Sequence, residues 1–267
     1  MTGRILAALL AASACAAETP DELRELMRRS LARIEQTEQK MSHYAFTRHF
    51  ESKQFSAGGA VKSRQAWVGR SEWQEGFRVF RLLERDGKPI PEEERVKIEE
   101  GIQKRLAELQ AMTPEQLKQR REQGRRRERD DDAWLKEFPD ALDYKLLAQE
   151  TVNGAPALVL ECSPRPGYKA RNMRARVFEK VRGRAWVDKT EAELVKADVE
   201  VFDTVSIGWG ILGRIEKGTR FMIERQKLGP DLWLPASQTV RLAARMMLVK
   251  SMHQEISSRY SDYRPRP

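Results

Sequence analysis

Two cysteines and three histidines are all that this 267-residue chain has of the side chains that most often act as nucleophile, base or metal ligand. That scarcity excludes several chemistries. There is no G-x-S-x-G elbow, no H-E-x-x-H helix, no pair of metal-spaced cysteines and no glycine-rich phosphate loop. Cys162 lacks a second cysteine outside the first twenty residues, so no intrachain disulfide frames the fold. It follows Leu158 and Leu160 at a spacing of two, as a core thiol would, and no histidine lies at a nucleophile's family spacing from it. Asp188 and Glu193 form a carboxylate pair only in the sense that any charged sheet does. The expectation is a protein without catalytic residues, cofactor or metal. Long apolar runs are missing too: after residue 20 no stretch approaches the roughly 18 apolar residues that span a bilayer.

The first residues read differently. Arg4 is followed by an apolar core from Ile5 to Ala14 and by the small residues Ala14-Cys15-Ala16-Ala17, the pattern of a secretory signal peptide. Two outcomes are open. Cleavage after Ala16 or Ala17 discards Cys15, whereas Ala12-Ser13-Ala14-Cys15 resembles a lipobox in which Cys15 is lipidated. Both place the mature chain in a bacterial periplasm, free or held at the outer membrane. Charge is plentiful, 33% of residues with a formal net charge of +9, so an acidic partner has to be considered. The Arg125-Arg126-Arg127 run invites a nucleic-acid reading. The immediate Asp130-Asp131-Asp132 and the export signal argue instead for a solvated helix.

Most of the remainder alternates with a period of two. Leu194 to Val201 places Val195, Ala197, Val199 and Val201 on one side and Lys196, Asp198 and Glu200 on the other. Val240, Leu242, Ala244 and Met246 repeat the pattern. Strands are also expected at Tyr44–Arg48, Ala66–Val68, Phe77–Leu83, Tyr144–Leu147 and Ala157–Cys162, with turns at Asp86-Gly87 and Asn153-Gly154. Without long helices between them, these strands form an antiparallel meander. A helix precedes them. Thr19-Pro20-Asp21-Glu22 is a capped start, and Leu23, Leu26, Met27, Leu31 and Ile34 make one apolar stripe as far as about Lys40. Residues 92–132 break the strand pattern with 11 basic and 12 acidic residues. They read as a charged helical insertion, restarting at Thr113-Pro114, that adds little to the core. The expected organisation is a signal peptide over 1–17, one β domain over 18–262 interrupted at 92–132, and a tail over 263–267.

The amphipathic helix after a signal peptide, Val152-Asn153-Gly154 leading into Ala157–Leu160, Gly183–Asp188 before the charged strand, and Leu232-Trp233-Leu234-Pro235 together resemble the periplasmic lipoprotein-carrier superfamily. This is the LolA/LolB and RseB-like fold, also labelled outer-membrane lipoprotein-sorting. The resemblance implies an α+β fold: a strongly curved antiparallel sheet, an incomplete barrel covered by the N-terminal helix, whose apolar concavity holds acyl chains. It also implies a lipid or acylated lipoprotein as cargo or, on the RseB side, an envelope sensor with a protein partner. Candidate cavity residues on the sheet are Trp186, Val199, Val201, Phe221 and Ile223. The glycine-rich segment Val205–Gly213 contributes Ile207, Trp209, Ile211 and Leu212, with Trp209 either a mobile lip over the cavity or a plug at the end of the barrel.

Overall fold

The computed structural model describes residues 19–207, 213–246 and 250–266, leaving aside the side chains of Glu38, Arg125, Glu128, Arg129, Asp131, Asp132, Ile207, Met246 and Lys250. Helix α1 (Pro20–Met41) starts as the sequence indicates. The Thr19 side chain accepts from the Glu22 N–H while the Glu22 carboxylate accepts from the Thr19 N–H, a complete capping box. Its apolar stripe is sealed: Leu23, Leu26 and Met27 are buried, and Ile34 packs beside them.

The strands are β1 (Tyr44–Phe55), β2 (Val61–Gln74), β3 (Phe77–Arg85), β4 (Lys88–Pro89), β5 (Leu142–Val152), β6 (Ala155–Pro164) and β7 (Val181–Asp188). They continue with β8 (Leu194–Val201), β9 (Val205–Ile207), β10 (Gly213–Ile215), β11 (Arg220–Gly229), β12 (Leu232–Met246) and β13 (Lys250–Pro265). They form one open antiparallel sheet in the order β4-β3-β2-β1-β13-β12-β11-β8-β7-β6-β5, with β9 and β10 attached beside β12. The expected α+β class with a covering helix is what is found. The order is not a simple meander, because the first and last strands pair with each other inside the sheet, from Tyr44↔Pro265 to Phe55↔His253. Residues 263–265, expected as a tail, are therefore strand.

The two free edges, β4 and β5, are consecutive in sequence. The segment between them carries the chain from one edge of the sheet to the other. It holds α2 (Glu92–Gln110), α3 (Pro114–Asp132), a 3₁₀ turn (Ala133–Glu137) and α4 (Phe138–Ala141). Helix α3 buries none of its described side chains, as its charge pattern suggests. Helix α2 does more. Ile102 and Leu106 are buried on Val79, flanked by Phe77 and Ile98, and Glu99 accepts from Arg81 at 2.9 Å.

Strand registers assign each side chain to one of two faces. On the face toward α1, Leu158, Leu160 and Cys162 of β6 join Ala185, Val187, Val181 and Val201. A second 3₁₀ segment, Arg174–Lys180, adds Ala175, Val177 and Phe178, and the Phe178 ring stacks on Trp134 at 5.2 Å. Strands β7 and β8 approach so closely that a Cβ on Gly183 would lie 2.2 Å from the Asp198 carbonyl oxygen, and only glycine fits. A bulge opposes Trp186 and Val187 to Lys196 and Leu194. Val195 is the extra residue, so it leaves the Ala197–Val201 side and packs with Trp186 and Trp233 on the opposite face. This corrects the expected alternation, since a bulge inserts one residue and shifts the face of what precedes it.

The C-terminal half of α1 is fixed by a buried ion pair. Arg225 donates to Glu193 at 2.8 Å and to the Trp233 carbonyl at 3.0 Å, with Glu193 and Arg225 side chains 2% and 6% exposed. Thr37 of α1 donates to the other Glu193 oxygen at 3.3 Å. Burial pushes the Glu193 carboxyl above its ordinary range, against the pull of Arg225 and Thr37. Arg225→Met alone should destabilise the protein by about 3–5 kcal/mol by stranding a buried charge. Glu193→Leu combined with Arg225→Met should recover most of that loss. Urea denaturation of both variants checks this, and additive losses would show that the two side chains act independently.

Candidate functional site

On the helix face the sealed core lies over β5–β8 and extends to Val205 of β9. Farther along, the same face stays half-buried. The register Val199↔Phe221↔Val240↔Ile256 carries it from β8 to β13, and Ala197↔Ile223↔Gln238↔Ser258 runs beside it. On β1 and β2 the row becomes aromatic. Phe50 stacks on Trp67 with centroids 4.8 Å apart, and Phe80 meets the Trp67 ring edge-on at 5.4 Å. Phe46 packs against Tyr260 and Tyr263, each at 5.7 Å. Phe80 lies over Gly69, where a Cβ would come within 2.1 Å of the ring, so the glycine lets this aromatic plate lie flat. Phe80 itself remains 46% exposed.

Two cations touch the plate: Arg78 lies 5.2 Å from the Phe46 ring centre at one end, and Arg48 sits inside it. The Arg48 guanidinium carbon is 5.3 Å from the Trp67 ring centre, 5.4 Å from that of Phe50 and 5.7 Å from that of Tyr260. Arg48 also donates to the Ser258 hydroxyl through Nε at 3.2 Å and Nη2 at 2.9 Å. Ser258 is buried. At the α1 end of the plate, Arg266 and Arg78 lie on the Trp73 ring at 4.3 and 5.9 Å, and Arg78 caps the Met41 and Tyr44 carbonyls.

The residues proposed from sequence fall into three groups. Val201 is buried in the core, while Phe221, Val199 and Ile223 are half-buried along the open part of the helix face. Trp186 lies on the other face, packed with Val159 and Val195. Its indole donates to Glu150 at 2.8 Å and the Lys196 ammonium rides 5.1 Å above its ring. It does not share a cavity with Phe221. Ile207 closes β9 opposite Gly213, which in turn pairs with Met246. Trp209, Ile211, Leu212 and Cys15 lie outside the described residues. The residues that sequence reasoning left as ordinary strand positions, Phe46, Arg48, Trp67 and Phe80, or passed over, Phe50 and Tyr260, make the plate. The usable signal was Phe46-x-Arg48-x-Phe50, an aromatic strand face with a cation at its centre.

Several charged groups elsewhere are engaged with partners. Asp188 accepts from the Thr190 and Glu191 N–H groups at 2.8 Å each and caps a turn, while Glu193 faces Arg225, so the two carboxylates form no working pair. On the opposite face a groove of about 550 Å³ runs along Glu161, Arg184, Arg182, Glu200, Asp198 and Arg220. Its Arg220–Asp198 and Arg182–Glu200 pairs neutralise each other. Among the described residues no group of histidine, cysteine, aspartate and glutamate could hold a metal ion, and no described helix is long and apolar enough to cross a membrane.

No family model matches the chain, and no curated protein does. Solved structures do match along most of its length. An outer membrane lipoprotein-sorting protein domain from Vibrio parahaemolyticus is 10% identical, with 91% of each chain covered and a TM-score of 0.34. A LolA superfamily protein from Nitrosomonas europaea is 10% identical, covering 89% of this chain and 94% of its own, with a TM-score of 0.25. The MucA/MucB complex of Pseudomonas aeruginosa matches at 11% identity over 91% and 99%, with a TM-score of 0.24. A DUF1329 family protein from Desulfovibrio piger, 12% identical with a TM-score of 0.34 over 93% and 94%, also matches.

The thiol provides a direct check on the sealed half of the face. Cys162 is fully buried, and burial, reinforced by the Glu161 charge, pushes its pKa up to about 12. In protein lacking Cys15, an aromatic disulfide reagent at neutral pH should leave Cys162 unmodified until denaturant is added. Stoichiometric reaction of the native protein would show that this half of the sheet is open.

Proposed function

We propose that this protein is a non-enzymatic binding or carrier protein of the bacterial cell envelope that shelters an acyl chain on the open part of its helix face. The observation that carries the proposal is the set of half-buried apolar side chains on this face, Phe221, Ile223, Val240 and Ile256 with Phe50 and Trp67 across Ser52, Gln238 and Ser258, and Phe80 exposed at its margin. Scattered exposed apolar residues need no explanation, but a contiguous apolar patch marks a place where something binds. An acyl chain suits it, because ten buried methylenes are worth about 8 kcal/mol before the costs of association. The polar groups that would point to catalysis are absorbed in caps and ion pairs. The periplasmic location, the export signal and the lipid or lipoprotein cargo belong to this proposal, as does lipidation at Cys15.

A second reading, an RseB-like sensor or protein-binding module, draws on α3, whose described side chains remain exposed or half-exposed. Gentle mass spectrometry of protein purified from a membrane-containing host separates the two. The carrier reading expects co-purifying acyl mass that Phe50→Gln with Trp67→Gln reduces several-fold. Protein that carries no acyl mass and takes up none from added micelles would overturn it.

A further inference from the structure

Resting on the acyl-binding reading, we infer that Arg48 makes this face selective for long-chain amphiphiles with an anionic head, a carboxylate or a phosphate monoester. The guanidinium stands in the middle of an apolar plate, held between Trp67, Phe50 and Tyr260 and anchored on Ser258. No carboxylate forms an ion pair with it among the described residues. The side chains that share its face on neighbouring strands are neutral: Ser52, Ser71, Gln238 and Gln254, besides the rings. The charged residues at the margins of that face are arginines, Arg78 on the Met41 and Tyr44 carbonyls and Arg85 in a pair with Glu94.

Among the described residues Arg78 likewise forms no ion pair and is held by the Met41 and Tyr44 carbonyls, whereas several other arginines of the sheet are paired. Arg220, Arg182, Arg241 and Arg64 each face a carboxylate at 2.9 Å or less. A cation left among aromatic faces is partly desolvated, and its planar fork fits a carboxylate or phosphate. Nη1 makes no hydrogen bond among the described residues, since the contacts to Ser258 use Nε and Nη2.

The strand registers also give the tail a path. Arg48 pairs with Tyr260, whereas the row Ile256, Val240 and Phe221 meets β1 at Ser52, so from Arg48 to Phe221 there are three strand spacings of about 4.8 Å and an offset of about 13 Å along the strands, roughly 20 Å in all. That is the reach of a long acyl chain. The path runs obliquely from Arg48 over Ile256 and Val240 to Phe221, which packs against the sealed core. A head at Arg48 therefore directs a tail toward the α1 side.

Equilibrium binding below micelle-forming concentrations tests this with hexadecanoate, hexadecyl phosphate, hexadecanol and inorganic phosphate, read by tryptophan emission and by calorimetry. The two anionic amphiphiles should bind at least about tenfold more tightly than the alcohol, the increment of a charge-assisted hydrogen bond. Arg48→Gln should erase that difference and leave alcohol binding in place, while Arg48→Lys should keep part of it. The melting temperature of each variant confirms that it is folded. Equal affinity for acid and alcohol in the wild type, or a preference that survives Arg48→Gln, would overturn the inference and leave the carrier reading standing. Inorganic phosphate binding as tightly as hexadecyl phosphate would also overturn it, by showing a plain anion site. Failure of every long-chain compound to bind would refute both readings.

Discussion

Helix α1 is 22 residues long, about 33 Å of helix at 1.5 Å per residue. The eleven strands of the main path, spaced at about 4.8 Å, measure roughly 48 Å across. One helix cannot cover such a face. It covers the part nearest β5 to β8, where the 3₁₀ segments at 133–137 and 174–180 complete the seal with Trp134 and Phe178. On the opposite face α2 covers a smaller area near β3. What is left uncovered on the helix side holds Val199, Phe221, Val240 and Ile256 and the rings of Phe50 and Trp67, with the neutral Ser52, Gln238 and Ser258 between them. The candidate site is thus the remainder of an unfinished core, and the same interactions that stabilise the fold define its border.

Charge is distributed to suit that division. A buried ion pair, Glu193 with Arg225, pins α1 and the β8–β11–β12 junction in one arrangement, while the buried Asp188 is held by backbone N–H groups. Such a pair contributes specificity of docking more than net stability, since desolvation offsets its attraction. Elsewhere arginines and carboxylates alternate across neighbouring strands on the opposite face, where water screens them and each pair is worth little. That face explains much of the chain's 33% charged content without requiring an acidic partner. Arg48 stands outside this scheme because aromatic rings occupy the positions where carboxylates would otherwise lie.

Local signals carried the parts of this architecture that are local. The α1 cap is written in Thr19-Pro20-Asp21-Glu22, and the tight turns at Asp86-Gly87 and Asn153-Gly154 adopt the left-handed backbone that those pairs favour. The alternation at Val240–Ala244 translated directly into a face. Non-local features left no such trace. Nothing near Tyr44 announces its pairing with Pro265, and so the β1–β13 strand pair and the strand status of residues 263–265 were invisible. The bulge at Val195 reversed one predicted face, and Trp186, read as lining the cavity, points away from it. The aromatic plate needed both pieces of information: Phe46, Arg48 and Phe50 alternate visibly, but which face they share is fixed only by the β1–β13 and β1–β2 registers.

The central claim is that cargo lies on the helix side of the sheet between β11 and β2. Photocrosslinking with a fatty acid that carries a diazirine near mid-chain, followed by peptide mapping, tests it most directly. The account predicts adducts concentrated in the peptides of β1, β2, β12 and β13, on helix-face residues such as Phe50, Trp67, Val240 and Ile256. Adducts confined to α2 and α3, or to opposite-face residues such as Trp186, Arg184 and Arg259, would contradict it.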